Sequence, residues 1–175
     1  SSPCQDFSLA GARAGLAGER SSALRGFLRL MQALDREGRA PRTIVIENVV
    51  GLLTARGGED FGALCSLLAE GGWRFGAVEA DAAAFVPQSR PRVFVIATRE
   101  ATAGLTLAAP EAPFHSRAVQ AAWAALPEAA RVRWAWWRLP APPRRNLTLE
   151  GVLEPDDAVR CWWSGAKTER LVEAM

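Results

Sequence analysis

Apolar residues recur along the first hundred positions with two alternating periods. From Ser21 to Arg36, Leu24, Phe27, Leu28, Leu30, Met31 and Leu34 fall three or four apart, which predicts a helix stopped by Gly38 and Pro41. Thr43-Ile44-Val45-Ile46 is a short β-branched run, the pattern of a buried strand, with Glu47 and Asn48 at its carboxyl end. Residues 59 to 70 return to helical spacing through Phe61, Leu64, Leu67 and Leu68, and Gly71-Gly72 is the stop. Trp73 to Glu79 and Arg92 to Thr98 read as two further strands, the second (RVFVIAT) being the clearest. Residues 6 to 22, with Gly11, Gly15 and Gly18, read as a loop. Helix, strand, helix, strand, turn, strand is an α/β order, and it predicts a wound sheet with helices on its faces. In such sheets polar residues just past the carboxyl ends of strands line the ligand crevice, the position expected for Glu47 and Asn48.

The pattern changes after Arg99. Seven prolines fall between Pro110 and Pro155, five of the seven tryptophans fall between Trp134 and Trp163, and periodicity weakens. A domain boundary is expected near residues 100 to 110, giving a first unit of residues 1–100 and a second of 101–175. Arg131, Arg133, Arg138, Arg144 and Arg145 are interleaved with Trp134, Trp136 and Trp137. Two readings stay open for them: a phosphate-and-stacking surface, or an apolar cluster with a solvated arginine rim.

Composition narrows the classes. The net charge is +2, so no polyanion partner is demanded, and none is excluded, because local clustering decides. Lys167 is the only lysine among 21 basic residues, which fits a GC-rich coding sequence. The three cysteines, Cys4, Cys65 and Cys161, form no CxxC pair, and the sole histidine, His115, has no cysteine nearby; no metal site is expected, and a reduced, cytoplasmic chain is. No apolar run is long enough to span a membrane, and no signal peptide is seen. The chain starts Ser1-Ser2-Pro3-Cys4 and ends at Met175, and both ends read as cut.

Three short motifs can carry chemistry. SPCQDFSLAG (residues 2 to 11) puts Cys4 between Pro3 and Gln5, ahead of a glycine-rich loop. A nucleophilic thiolate needs exposure and positive neighbours; a small buried thiol at a turn is the plain alternative. IENV (residues 46 to 49) puts Glu47 after an apolar strand. That is either a solvent-facing strand end or a partly buried acid able to give a proton to a ring nitrogen. VPQSRPRVFVIA (residues 86 to 97) places Arg90 and Arg92 two residues apart, so in an extended segment both side chains point to one site; a solvated strand entrance is the alternative.

Taken together, in order and at spacings of about forty residues, PCQDFSLAG, ENV and QSRPR resemble the DNA (cytosine-5) methyltransferase family. GLAGER and the apolar helix after it (residues 15 to 34) resemble the family's segment between the first two motifs, and the resemblance covers residues 1 to about 100. It implies part of a Rossmann-like methyltransferase fold, a wound sheet with its first strands missing, followed by the beginning of an irregular target-recognition region. It implies Cys4 as the nucleophile on cytosine carbon 6 and Glu47 on ring N3 and the exocyclic amine. Arg90 and Arg92 would lie near the ring oxygen, Gln88 would fix the turn, Asn48 and Val49 would shape the pocket, and Pro3 and Gln5 would support the cysteine. The target base must leave the duplex to reach these groups. The glycine-rich stretch after Cys4 resembles the family's mobile loop.

The implied methyl donor is S-adenosylmethionine. The implied partners are double-stranded DNA and the donor-binding half of the domain, in the same or a separate chain. The family's glycine-rich donor motif and ribose-binding acid are not in this sequence, so the chain reads as an internal piece of a bacterial modification enzyme. One half of a split methyltransferase and a non-catalytic DNA-binding remnant are the other readings, and the base chemistry alone does not separate DNA from RNA. The isolated chain is expected not to bind S-adenosylmethionine: titration calorimetry should give no tight one-to-one isotherm, and a tight one would overturn the expectation.

Overall fold

A computed structural model describes residues 22–155, 158 and 162–174. The elements of the first hundred positions are α1 (Ser22–Arg36), β1 (Thr43–Val49), α2 (Glu59–Glu70), β2 (Arg74–Asp81) and β3 (Pro91–Thr98). The helices and the two later strands lie where periodicity puts them, within two residues. β1 runs three residues further than the β-branched stretch, so Glu47 and Asn48 sit inside the strand rather than beyond its end. The reason is the ladder: Glu47 and Asn48 pair with Phe94 and Val93 of β3, which is long enough to extend the strand past its apolar stretch.

The three strands form one sheet in the order β1-β3-β2, and β3 is antiparallel to both neighbours. β1 and β2 therefore point the same way, joined through α2, with β3 returning between them. Both pairings in this sheet are antiparallel, so among the described residues it is an antiparallel sheet with helices packed on it and not the wound sheet the element order predicts; the last strand reverses direction after the turn at residues 82–90.

One sheet face carries the core. Ile44 and Ile46 of β1, Val93, Val95 and Ala97 of β3, and Phe75 and Ala77 of β2 pack against Phe61, Leu64, Cys65 and Leu68 of α2. α2 begins with Glu59 and Asp60, which complement its amino-terminal dipole, and Arg56 pairs with Glu59 at 3.0 Å. It ends at Gly71-Gly72, where Gly72 takes φ +77°, a conformation that favours glycine. At that end of the sheet Arg99 joins three elements. Its guanidinium pairs with Asp35 of α1, donates to the Gly71 carbonyl at 2.7 Å and lies 4.4 Å from the Trp73 ring centroid.

The second half of the chain contributes to the same core. β4 (Thr106–Leu107) pairs with β5 (Trp136–Trp137), and α3 (Arg117–Ala124) and α4 (Glu128–Arg131) lie between them in sequence. Val119, Ala122, Leu126, Ala130, Trp134 and Trp136 join the core cluster. The composition change near residues 100–110 is thus not a break in packing. Trp134 meets Phe61 and Phe75 edge-on, with ring centroids 6.2 and 5.9 Å apart. Trp136 packs on His115, Trp123 and Trp134. Trp134, Trp136 and Trp137 are buried, the first two in the core cluster and Trp137 in a second one with Val78 and Ala135, so all three take the apolar reading and offer no stacking surface; Arg131, Arg133 and Arg138 lie exposed beside them. Beyond Arg138 the described chain is largely exposed and ends in α5 (Gly165–Glu173).

Residues 133–135 run along the outer edge of β2. Phe75 N–H donates to the Arg133 carbonyl (3.1 Å) and Ala135 N–H to the Phe75 carbonyl (2.7 Å). The approach is close enough to need a glycine: a Cβ on Gly76 would lie 1.9 Å from the Ala135 carbonyl oxygen. Gly76→Ala should therefore cost about 1–3 kcal/mol or more, because the obstacle is backbone and not a side chain that can turn away. Urea denaturation of the variant against the parent reads this directly, and an unchanged midpoint would remove the close approach.

Candidate active site at the carboxyl ends of β1 and β2

Alternation along β1 sends Ile44, Ile46 and Asn48 into the core and turns Val45 and Glu47 to the opposite face. In the β1–β3 register Arg92 lies opposite Val49, and Phe94 lies opposite Glu47. Directly opposed residues share a face, and Arg92 lies two residues from Phe94 along β3, so Arg92 and Glu47 are diagonal neighbours on the face away from α2. They form an ion pair, with Arg92 Nε 3.0 Å from Glu47 Oε1. The side chains are 18% and 26% exposed, so the pair is screened from bulk water more than a surface salt bridge is, yet remains reachable. Arg92 Nη1 also donates to the Pro91 carbonyl at 2.8 Å, which fixes the guanidinium plane over the strand start.

Asn48 is buried beneath this pair, and its Oδ1 accepts from the Val49 N–H at 2.8 Å. Val49 is partly buried and packs against the core cluster. The ENV segment thus alternates by role: the carboxylate faces out, the amide is locked inward, and the valine closes the strand.

Gln88 and Arg90 lie in the 82–90 turn, both exposed. Gln88 N–H donates to the Val86 carbonyl at 2.8 Å. Arg90 precedes β3, and its main-chain N–H is held by Asp81 Oδ1 at 2.7 Å. The structure therefore brings Arg92 onto Glu47 and leaves the Arg90 side chain in the exposed turn beside them. Cys4, Pro3 and Gln5, with the glycine-rich loop after them, lie outside the described residues.

The motif reading did not single out Asp81. This last residue of β2 closes the turn by accepting from Ala83 N–H (2.9 Å), Ser89 Oγ–H (2.8 Å) and Arg90 N–H (2.7 Å). These donors hold its carboxyl below the usual carboxylate range, those of the Ala83 and Arg90 backbone foremost. An aspartate at a strand end before a run of small residues is a turn-capping signal that the sequence does carry.

Cys65 lies fully buried in α2, and burial pushes its thiol far above the ordinary value, which keeps it protonated and unreactive. Among the described residues no group of His, Cys, Asp and Glu side chains could hold a metal ion, and no helix is long and apolar enough to cross a membrane.

The family model described as C-5 cytosine-specific DNA methylase matches residues 1–131, about three quarters of the chain. The chain belongs to this family. It is 36% identical over 97 residues to the type II methyltransferase M2.BsuMI of Bacillus subtilis (strain 168), covering 55% of this chain and 25% of that protein. The type II methyltransferase M.NgoFVII of Neisseria gonorrhoeae is 37% identical over 98 residues, with coverages of 55% and 25%. The orphan methyltransferase M.Rho11sI of Bacillus phage rho11s is 34% identical over 100 residues, with coverages of 57% and 19%. The chain thus spans about a quarter or less of the length of these relatives.

The described residues do not fit a site for a methyl donor of the family's kind. The groove of about 290 Å³ between α2 and α3 is lined by Leu53, Phe61, Ala121, Leu126 and other small or apolar residues, with no carboxylate to hold a ribose.

The Glu47–Arg92 pair can be measured on its own. In a double-mutant cycle of Glu47→Gln and Arg92→Met followed by urea unfolding, the coupling should be roughly 1 kcal/mol. A coupling of zero would mean that the two side chains do not meet in solution.

Proposed function

We propose that this chain is the catalytic-cysteine and base-binding part of an enzyme that transfers a methyl group from S-adenosylmethionine to carbon 5 of cytosine in double-stranded DNA, within a bacterial modification or restriction–modification system. The observation that carries the reading is the Glu47–Arg92 pair at the carboxyl end of β1, in a chain of the C-5 cytosine-specific methylase family. Carbon 5 of cytosine is a poor nucleophile until a thiolate adds at carbon 6. In this reading Cys4 supplies the thiolate, and the electron pair of the 5,6 double bond moves toward carbon 5.

Glu47 binds ring N3 and the exocyclic amine. A carboxylate already held by Arg92 has a fixed direction, which lowers the cost of orienting it when the base arrives. Arg92, with Arg90 beside it, faces the ring oxygen and stabilises charge that builds there. Asn48 and Val49 set the pocket floor, Gln88 fixes the turn, and Pro3 and Gln5 hold the Cys4 loop. The base reaches these groups only after leaving the helix stack. S-adenosylmethionine, bound by residues other than those described, supplies the methyl group.

The strands expected ahead of β1 would complete a Rossmann-like wound sheet, and residues 101–175 would be linker and the beginning of a target-recognition domain. The first part of that segment docks on the sheet, and the exposed chain beyond Arg138 is the part proposed to reach DNA. The donor-binding half is then a required partner, in the same or a separate chain.

The test is covalent trapping on DNA containing 5-fluorocytosine, where fluorine blocks the final elimination and leaves the protein bonded to the base. With S-adenosylmethionine and the donor-binding half present, a denaturing gel should show a shifted band that Cys4→Ala abolishes. Absence of a band from a folded, DNA-binding mixture would favour a non-catalytic DNA-binding role.

A further inference from the structure

The 82–90 turn delivers the chain from β2 into β3 and so sets where Arg92 begins its strand. Asp81 grips the turn from the β2 side through three hydrogen bonds. A second grip comes from far along the chain. Arg145 Nη1 donates to the main-chain carbonyls of Ala83 and Val86, at 3.4 Å each. Both carbonyls belong to the turn, sixty residues away in sequence, and a guanidinium is suited to bridging two fixed acceptors. Pro142 supports the same contact, lining with Ala84, Phe85 and Phe114 a cavity of about 190 Å³ beside the turn. Pro142 and Pro143 each fix φ, which stiffens the chain just ahead of Arg145.

We propose that Arg145 is a positioning residue for the reaction: it holds the 82–90 turn against the sheet, and through the turn it keeps Arg92 on Glu47. This rests on the function proposed above. It departs from the use of Arg145 as a phosphate ligand, because Nη1 of the guanidinium is turned to two carbonyls of its own chain. It also ties the exposed segment beyond Arg138 to the catalytic pair. A shift of that segment on DNA would be felt at the turn, which is two residues from Arg92. A small displacement at a reacting site costs far more rate than binding, because the base still docks but is met by a misaligned pair.

The test uses the whole protein in three variants, Arg145→Ala, Arg145→Lys and Asp81→Asn, with two readouts: amide hydrogen exchange over residues 82–92 and the rate of adduct formation on 5-fluorocytosine DNA. Arg145→Ala should raise exchange in the turn, as Asp81→Asn does from the other side. It should slow adduct formation about tenfold or more while leaving DNA affinity and its salt dependence unchanged. Arg145→Lys, which keeps a donor, should recover part of both effects. Unchanged exchange in Arg145→Ala overturns the proposal. So does a loss of DNA affinity with a shallower salt slope at an unaltered adduct rate, which is the signature of a phosphate contact. If the parent protein forms no adduct at all, the proposed function fails, and the exchange comparison alone then decides whether Arg145 holds the turn.

Discussion

The register between β1 and β3 governs the rest of the site. It sets Arg92 opposite Val49 and Phe94 opposite Glu47, and that offset makes the arginine and the carboxylate diagonal partners 3.0 Å apart. Side chains alternate along a strand, so a slip of one residue would send Arg92 into the core and bring Val93 to the outer face. The slip is prevented by the other face, where Val93, Val95 and Ala97 are fully buried against β1, β2 and α2. Core packing thus enforces the geometry of a polar pair that lies outside the core.

Much of this was legible in the amino-acid sequence. The helical periods of α1 and α2 and the β-branched stretches of β1 and β3 carry their own signals. The order of PCQ, ENV and QSRPR carries the resemblance to the methyltransferase family without any geometry. The direction of β3 was not legible, because an apolar strand reads the same whether it runs parallel or antiparallel to its neighbours. Glu47 and Asn48 were expected past the end of β1 because its β-branched stretch stops at Ile46. Pairing to Phe94 and Val93 carries the strand on, an effect of the partner strand that local sequence does not encode.

The later tryptophans show the other kind of shortfall. Arginines interleaved with Trp134, Trp136 and Trp137 suit a nucleic-acid surface and a buried cluster equally well by composition. The difference lies in which face of the sheet is still uncovered when the chain returns. Phe61 and Phe75 lie there, and Trp134 meets both in T-shaped contacts. The turn contacts of Asp81 and Arg145 are hidden for a similar reason, since their partners are turn amides and carbonyls that exist as a target only once the turn has formed.

The two borders of the sheet are unlike. Along β2 the Phe75 amide and carbonyl are taken up by residues 133–135, and the Glu79 amide donates to the Phe114 carbonyl at 2.8 Å. Among the described residues no strand lies beyond β1. Among the described residues one flank is stitched shut by the chain's own return, and the other, along β1, keeps its outward backbone groups unmatched by a strand. Glu47 stands on that strand, so whatever is laid beside β1 also borders the Glu47–Arg92 pair.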